Sequence, residues 1–158
     1  MTVAPPQDLE AEQAVLGAVL LSETALPGVI EEGLRPQDFY REGHGRIYLA
    51  MLEMRREAEP IDSLTLRDRL KRDGALEQVG GKAAIDLLCS SVPAVANYRA
   101  YARVVVRKSM WRERWRACAA GMDAARAELE GEYRGALGTM RRDELHFRPL
   151  VERAGVDL

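Results

Sequence analysis

The sequence predicts an all-α fold, a small helical globule followed by a protruding antiparallel helical hairpin, and three observations carry that expectation. Apolar residues recur at spacings of three and four through nearly every segment. Glycines, prolines and short polar residues fall between those segments, where helix caps and stops belong. The β-branched run Val104-Val105-Val106 is set among arginines that themselves keep a helical period. No strand pattern stands out against these.

Each element follows in order. Pro5-Pro6 ends a short tail, and Asp8 is placed to cap the first helix, with Glu10 and Glu12 near the positive end of its dipole. Leu9, Val15, Leu16, Val19 and Leu20 form its apolar stripe. Thr24 is placed to cap a short second helix, with Pro27 in its first turn and Gly33 as its stop. A third helix runs from about Gly43 to Glu57, with Ile47, Tyr48, Met51 and Leu52 on one face. Ser63 caps a fourth, with Leu64, Leu66 and Leu70 inside and Gly74 at its end. Gly80-Gly81 turns the chain into a fifth helix carrying Ile85, Leu87 and Leu88, which stops near Pro93. Residues 1–96 thereby form a helical globular subdomain.

Asn97 then caps something longer. Tyr101, Val104, Lys108, Trp111, Trp115, Cys118, Met122, Ala125 and Leu129 recur with alternating spacings of three and four, a heptad seam with a lysine at one position and Gly121 interrupting it. Reading Gly121 as a turn gives two antiparallel helices of about 97–119 and 123–137, closed by Gly135 and Gly138. A helical hairpin cannot bury both its faces alone, and its two tryptophans are a large apolar payload. It either folds back on the first hundred residues or packs against another chain, and we favour another chain. Self-association is accordingly assigned to Tyr101, Val104, Lys108, Trp111, Trp115, Met122 and Leu129. Residues 138–158 are a linker-like tail with Leu145, Phe147, Leu150 and Val151, either a docking segment or a frayed end.

Composition narrows the function. With 158 residues, 47% hydrophobic and 30% charged, the chain has the make-up of an ordinary soluble domain able to build a core without staples. A net charge of −2 gives no global basic field to attract nucleic acid. No apolar run approaches the ~18 residues of a membrane span, and no signal peptide is evident. Cys89 and Cys118 show no metal or redox spacing, and the expected setting is a reducing, cytoplasmic one. The net charge hides a segregation. Asp8, Glu10, Glu12, Glu23, Glu31 and Glu32 crowd residues 8–32, whereas Arg99, Arg103, Arg107, Lys108, Arg112, Arg114 and Arg116 crowd residues 99–116. Such complementary fields orient a partner or repeated copies, or simply solvate two helix faces.

Candidate chemistry fails residue by residue. A phosphate loop needs a glycine, four residues, then Gly-Lys-Ser/Thr. Here Gly81-Lys82 is followed by Ala83, and Leu76 stands where the first glycine belongs. His44 and His146 lie far apart, and His44, beside Phe39 and Tyr40, reads as a packed or capping residue. Ser90-Ser91 has no histidine near it, and Asp62 and Asp68 have no evident acid–base partner. No catalytic residue, metal site or cofactor is expected. Arg99, Arg103, Arg107, Arg112 and Arg114 are candidate partner or nucleic-acid contacts; because they flank an apolar seam, protein contact is placed ahead of direct nucleic-acid contact.

The blocks PPQDLEAEQAVLGAVLL, LRPQDFYREGHGRIYLAM, PIDSLTLRDRLKRDGALEQVGG and SSVPAVANYRAYARVV, in this order and at these spacings, resemble the N-terminal domain of the bacterial replicative DNA helicase, the DnaB family. The resemblance covers residues 5 to about 116, and its motifs are AEQAVLG, DFY-x-x-x-H, PID-x-x-T-L and the L-x-x-VGG turn. It implies a non-catalytic domain in which hairpins pair two copies and three pairs form a hexameric collar above the ring of ATPase domains. It also implies docking of primase through its helicase-binding domain, and only indirect contact with single-stranded DNA. Ala84-Ile85 stands where the family usually carries an aromatic–leucine pair, residues 117–137 match loosely, and the ATP-binding domain has no counterpart in this sequence. The alternatives are a free regulator that mixes with or caps a helicase ring, and a small nucleic-acid-binding protein acting through the arginine-rich helix.

Overall fold

A computed structural model of the chain describes residues 4–153, with side chains through Arg134. The helices are α1 (Leu9–Leu21), α2 (Ala25–Glu31), α3 (Glu42–Arg56), α4 (Ser63–Arg72), α5 (Gly81–Ser90) and α6 (Tyr98–Arg153). Short 3-10 turns occur at Pro36–Asp38, Glu77–Val79 and Val95–Asn97, and no strand forms among the described residues. The all-α expectation is borne out. The chain divides into two compact units, Met1–Arg114 and Trp115–Leu158, so the first turns of α6 belong to the first unit.

Within the first unit α1 is the central element. From Ala14 to Leu20 every residue is buried, as expected of a helix that is apolar nearly all round. Val15, Leu16 and Val19 meet Ile47, Tyr48, Met51 and Met54 of α3, Leu66 and Leu70 of α4, and Ile85 and Leu88 of α5 in one core. Gly17 lets α1 and α5 approach this closely, because a Cβ built there would lie 2.1 Å from the Leu88 carbonyl oxygen. Tyr48 is fully buried and donates its hydroxyl to the Leu34 carbonyl at 3.2 Å. Burial pushes its phenol up to about 12.

The caps explain most of the boundaries. Asp8 Oδ1 accepts from the Ala11 amide at 3.0 Å, as expected. Thr24 precedes α2 without a side-chain cap bond. The cap of α4 is Asp62, one residue before the expected Ser63. Its Oδ1 accepts from the Leu64 and Thr65 amides at 2.7 and 2.9 Å, and Thr65 Oγ1 accepts from the Asp62 amide at 3.0 Å. That reciprocal box satisfies amides that would otherwise be orphaned. The Thr65 and Leu64 amides hold the Asp62 carboxyl below the usual carboxylate range. α2, α3 and α4 all end in the same paired turn, with Gly33, Ala58 and Gly74 at positive φ. Ala58, at φ 57, occupies a position that usually goes to glycine.

One expected feature is corrected. α6 continues through Gly121, Gly135 and Gly138 to Arg153, so no turn divides it. Gly121 meets nothing within 4 Å. An exposed helical glycine costs only about 1 kcal/mol relative to alanine, and Ala119, Ala120, Ala124 and Ala125 around it favour the helix. The expected tail at 138–158 is helical in backbone as far as Arg153. Its side chains Leu145, Phe147, Leu150 and Val151 lie outside the described residues.

Two outcomes follow from the packing and the caps. Gly17→Ala forces α1 off α5 and lowers unfolding free energy by about 3 kcal/mol, read by urea denaturation followed at 222 nm. Asp62→Ala removes the α4 cap and lowers stability by about 1 kcal/mol at neutral pH. Because the folded-state carboxyl is depressed, its stabilisation is complete above the ordinary carboxylate range and is lost as pH falls through its folded-state pKa. The gap between wild type and Asp62→Ala therefore narrows on acidification, and a gap that widens would show that the charge is not what caps the helix.

Candidate interaction surface on α6

The part of α6 that belongs to the first unit has an inward face made of Ala102, Val105, Ser109 and Arg112, exposed by 0, 1, 5 and 3%. These positions keep spacings of three and four, one residue out of step with the seam expected from Tyr101, Val104, Lys108 and Trp111. The helix does fold back on the globule, but by a neighbouring face.

Polar contacts fix that face. Ser109 Oγ donates to Asp38 Oδ1 at 2.9 Å, and Arg112 donates to the Asp38 carbonyl and, at 2.9 Å, to the Pro6 carbonyl. The Arg112 guanidinium also stacks 5.7 Å from the Tyr40 ring centroid. Asp38 is itself buried, and its Oδ2 accepts from the Arg35 amide at 2.8 Å, closing the Pro36–Asp38 turn. The Arg35 guanidinium is raised above its ordinary range by that carboxylate. Immediately after this turn, the Tyr40 and Arg41 amides donate to the buried Glu12 carboxylate at 2.6 and 3.3 Å. His44 Nδ1 lies 2.8 Å from Glu12 Oε2. The residues of the DFY-x-x-x-H motif therefore tie α1, α3 and α6 together. His44 is packed, as expected.

The expected arginine contacts separate into two groups. Arg99 Nη2 pairs with Glu31 Oε2 at 2.6 Å, and Arg99 Nη1 with Glu32 Oε1 at 3.2 Å. Arg103 holds Glu32 with two bonds, at 2.6 and 2.8 Å. Hydrogen bonding from Arg103 and then Arg99 keeps the Glu32 carboxyl below the usual range, while the carboxylates raise both guanidiniums. The acidic stretch at 8–32 and the basic stretch at 99–116 thus meet partly within one molecule. Arg112, offered as a partner or nucleic-acid contact, is corrected: it is buried and holds the fold. Arg107 and Arg114 are exposed and make no ion pair among the described residues.

The expected seam lies largely outside the core. Tyr101 is half-buried and packs against it, and Val104 and Lys108 are half-buried. Trp111 is 53% exposed. In the second unit, Trp115, Met122 and Leu129 are 42, 74 and 67% exposed. Sequence reasoning missed Ser109 and Arg112 as internal anchors, although the parallel run 102, 105, 109, 112 was visible beside the seam.

Elsewhere the chemistry is structural. Ser90 and Ser91 both donate to the Leu87 carbonyl at the end of α5. Burial raises the Cys89 thiol, which disfavours its reactive thiolate. Among the described residues no group of His, Cys, Asp and Glu is arranged to hold a metal ion, and no helix is long and apolar enough to cross a membrane. The arrangement offers surfaces for contact.

Comparison with known proteins agrees with this layout. The family described as DnaB-like helicase N terminal domain matches residues 4–107. The chain is 45% identical over 108 residues to the replicative DNA helicase DnaC of Bacillus subtilis (strain 168), covering 68% of this chain and 24% of that protein. It is 44% identical over 108 residues to the replicative DNA helicase DnaB of Mycobacterium leprae (strain TN), covering 68% of this chain and 18% of that protein. The crystal structure of the N-terminal domain of DnaB helicase from Mycobacterium tuberculosis superposes with a TM-score of 0.71 at 40% identity, covering 81% of this chain and 99% of that one. The chain thus spans a quarter or less of the curated relatives it matches.

The Glu12 node yields a direct test. Glu12→Ala leaves the Tyr40 and Arg41 amides and His44 Nδ1 without their buried acceptor and lowers stability by about 3 kcal/mol or more. Glu12→Gln keeps an acceptor oxygen and recovers part of that loss. Equal losses for the two variants in urea denaturation would mean that the carboxylate's hydrogen bonds are not what holds the turn.

Proposed function

Because the chain belongs to the DnaB-like helicase N-terminal domain family, we propose that it acts as the non-catalytic collar of a replicative DNA helicase, pairing with further copies through α6 and giving primase a surface on which to dock. The observation that carries this reading is the half-exposure of Trp111 and Trp115 on a helix whose inward face is already used. Burying a large apolar side chain contributes about 1.5–3 kcal/mol, and exposed aromatic stripes of this kind mark protein interfaces. Lys108 within the seam fits the same role, since a single polar residue at a core position sets register at some loss of stability.

Collar and engine divide the work in this reading. ATP hydrolysis belongs to a separate ATPase domain, which this domain contacts as a partner. Single-stranded DNA is met indirectly, and the setting is the cytoplasm. Family membership supports the primase and ATPase-domain contacts, and the aromatic face supports the contact between copies. Direct DNA binding through the arginine helix loses ground, because Arg99 and Arg103 are paired with Glu31 and Glu32 and Arg112 is buried.

Trp111→Ala/Trp115→Ala converts dimers or larger species to monomers in light scattering on a sizing column, with helicity nearly unchanged. Loss of helicity in the double variant would place the indoles inside the fold and end the interface assignment. Mixing with the helicase-binding domain of the primase from the same organism yields a complex. A wild-type monomer that ignores primase would point to the free regulator instead.

A further inference from the structure

A hollow of about 350 Å³ lies between the end of α1, the start of α2 and the turn after α3, on the first unit. Val19, Leu26, Pro27 and Ile61 give it apolar walls, and Val19 and Leu26 are core residues, so the hollow reaches the core itself. That volume is at the small end for ligand sites.

Three ionisable residues, Glu23, Arg55 and Glu59, line the hollow, and Glu59 is paired with Arg69 and Arg72. Arg55 lines the hollow, and its guanidinium makes no hydrogen bond or ion pair among the described residues. Nearby Arg69 shows the contrast, since Glu53, Glu57, Glu59 and Asp73 all converge on it. Glu23, from the connection between α1 and α2, also lines the hollow and is likewise without an ion pair among the described residues. One uncommitted cation and one uncommitted anion therefore border an apolar depression.

The wall includes Ala58. At the same position of the same turn, α2 and α4 use Gly33 and Gly74. Here an alanine that lines the hollow is held at φ 57, a conformation that disfavours a Cβ. Glu59 and Pro60 are shared with a second depression, lined by Leu64, which is 65% exposed. The first hollow thus adjoins a second depression whose lining is mostly polar and in which Leu64 is the exposed apolar residue.

We propose that this surface docks a segment of another protein, which inserts an aliphatic side chain between Val19, Leu26 and Ile61 and pairs a carboxylate with Arg55 and a basic group with Glu23. A second apolar residue of the segment covers Leu64. This site is separate from the tryptophan face of α6 and does not depend on pairing between copies.

The probe is a random twelve-residue peptide library displayed on phage and selected on the immobilised chain, both wild type and Trp111→Ala/Trp115→Ala. Enriched peptides carry an aliphatic residue flanked by an acidic and a basic one, and bind both forms. Arg55→Glu weakens them at least tenfold while leaving helicity and thermal midpoint unchanged, and Arg55→Ala weakens them less. Selected peptides indifferent to Arg55→Glu, or bound only through the tryptophans, overturn the proposal. Hexanoate competing as tightly as the best peptide would identify a small-molecule site instead. A change in oligomer mass on Arg55→Glu would make the occupant a second copy. Since the selection also uses the tryptophan variant, loss of the collar reading leaves this result standing, and the reverse.

Discussion

The fold depends on a buried carboxylate. Glu12 is 1% exposed, in the first turn of α1, a helix apolar nearly all round. Burying a charge there is tolerable only because the Tyr40 and Arg41 amides and His44 Nδ1 all point at it. The two amides immediately precede α3, and His44 lies in its first turn. A side chain of α1 therefore pins the chain where it enters α3, whose N-cap Arg41 makes no side-chain cap bond. The contact fixes where α3 begins, and with it the angle at which Ile47, Tyr48, Met51 and Met54 enter the core.

From that point the constraint passes to α6. The turn that presents Tyr40 and Arg41 to Glu12 also presents the Asp38 carboxylate and carbonyl to Ser109 and Arg112. These buried contacts differ in kind from the outer ones. Arg99 and Arg103 pair with Glu31 and Glu32 near solvent, where ion pairs contribute little and weaken with salt. The outer pairs align α6 along α2, while the inner ones, with Ala102 and Val105, hold it down. A helix anchored by one face leaves the opposite side free to present Trp111.

Much of this was legible and some was not, for physical reasons. α1 through α5 follow from apolar spacing and glycine stops, because each has a strong local pattern. The cap of α4 moved one residue, to Asp62, because Asp and Ser are both good caps and only the reciprocal Thr65 bond distinguishes them. Glu12 was visible only as an acid near a helix start; its partners are about thirty positions away, and a single sequence does not announce such pairs. On α6 two heptad runs lie side by side, and the more aromatic one drew attention. The run that is actually buried contains Ser109 and Arg112, whose polarity disguises a core-facing stripe. Gly121 misled for the opposite reason: a glycine suggests a turn, yet its local penalty is too small to break a long alanine-rich helix.

The continuous α6 sharpens the case that this chain works in company. Beyond Arg114 the second unit has Met122, Leu129 and Tyr133 each more than half exposed. Helices in water are held mainly by burial of an apolar face, with propensity and exposed pairs adding only tenths of a kcal/mol each. Arg126–Glu130 and Arg134–Glu130 are such exposed pairs, and among the described residues they are the only ion pairs in that unit. Local interactions of that size do not account for so long an element with its large apolar side chains left in water. The contact between copies proposed for α6 would supply the missing term, by burying an apolar face as the core does for α1.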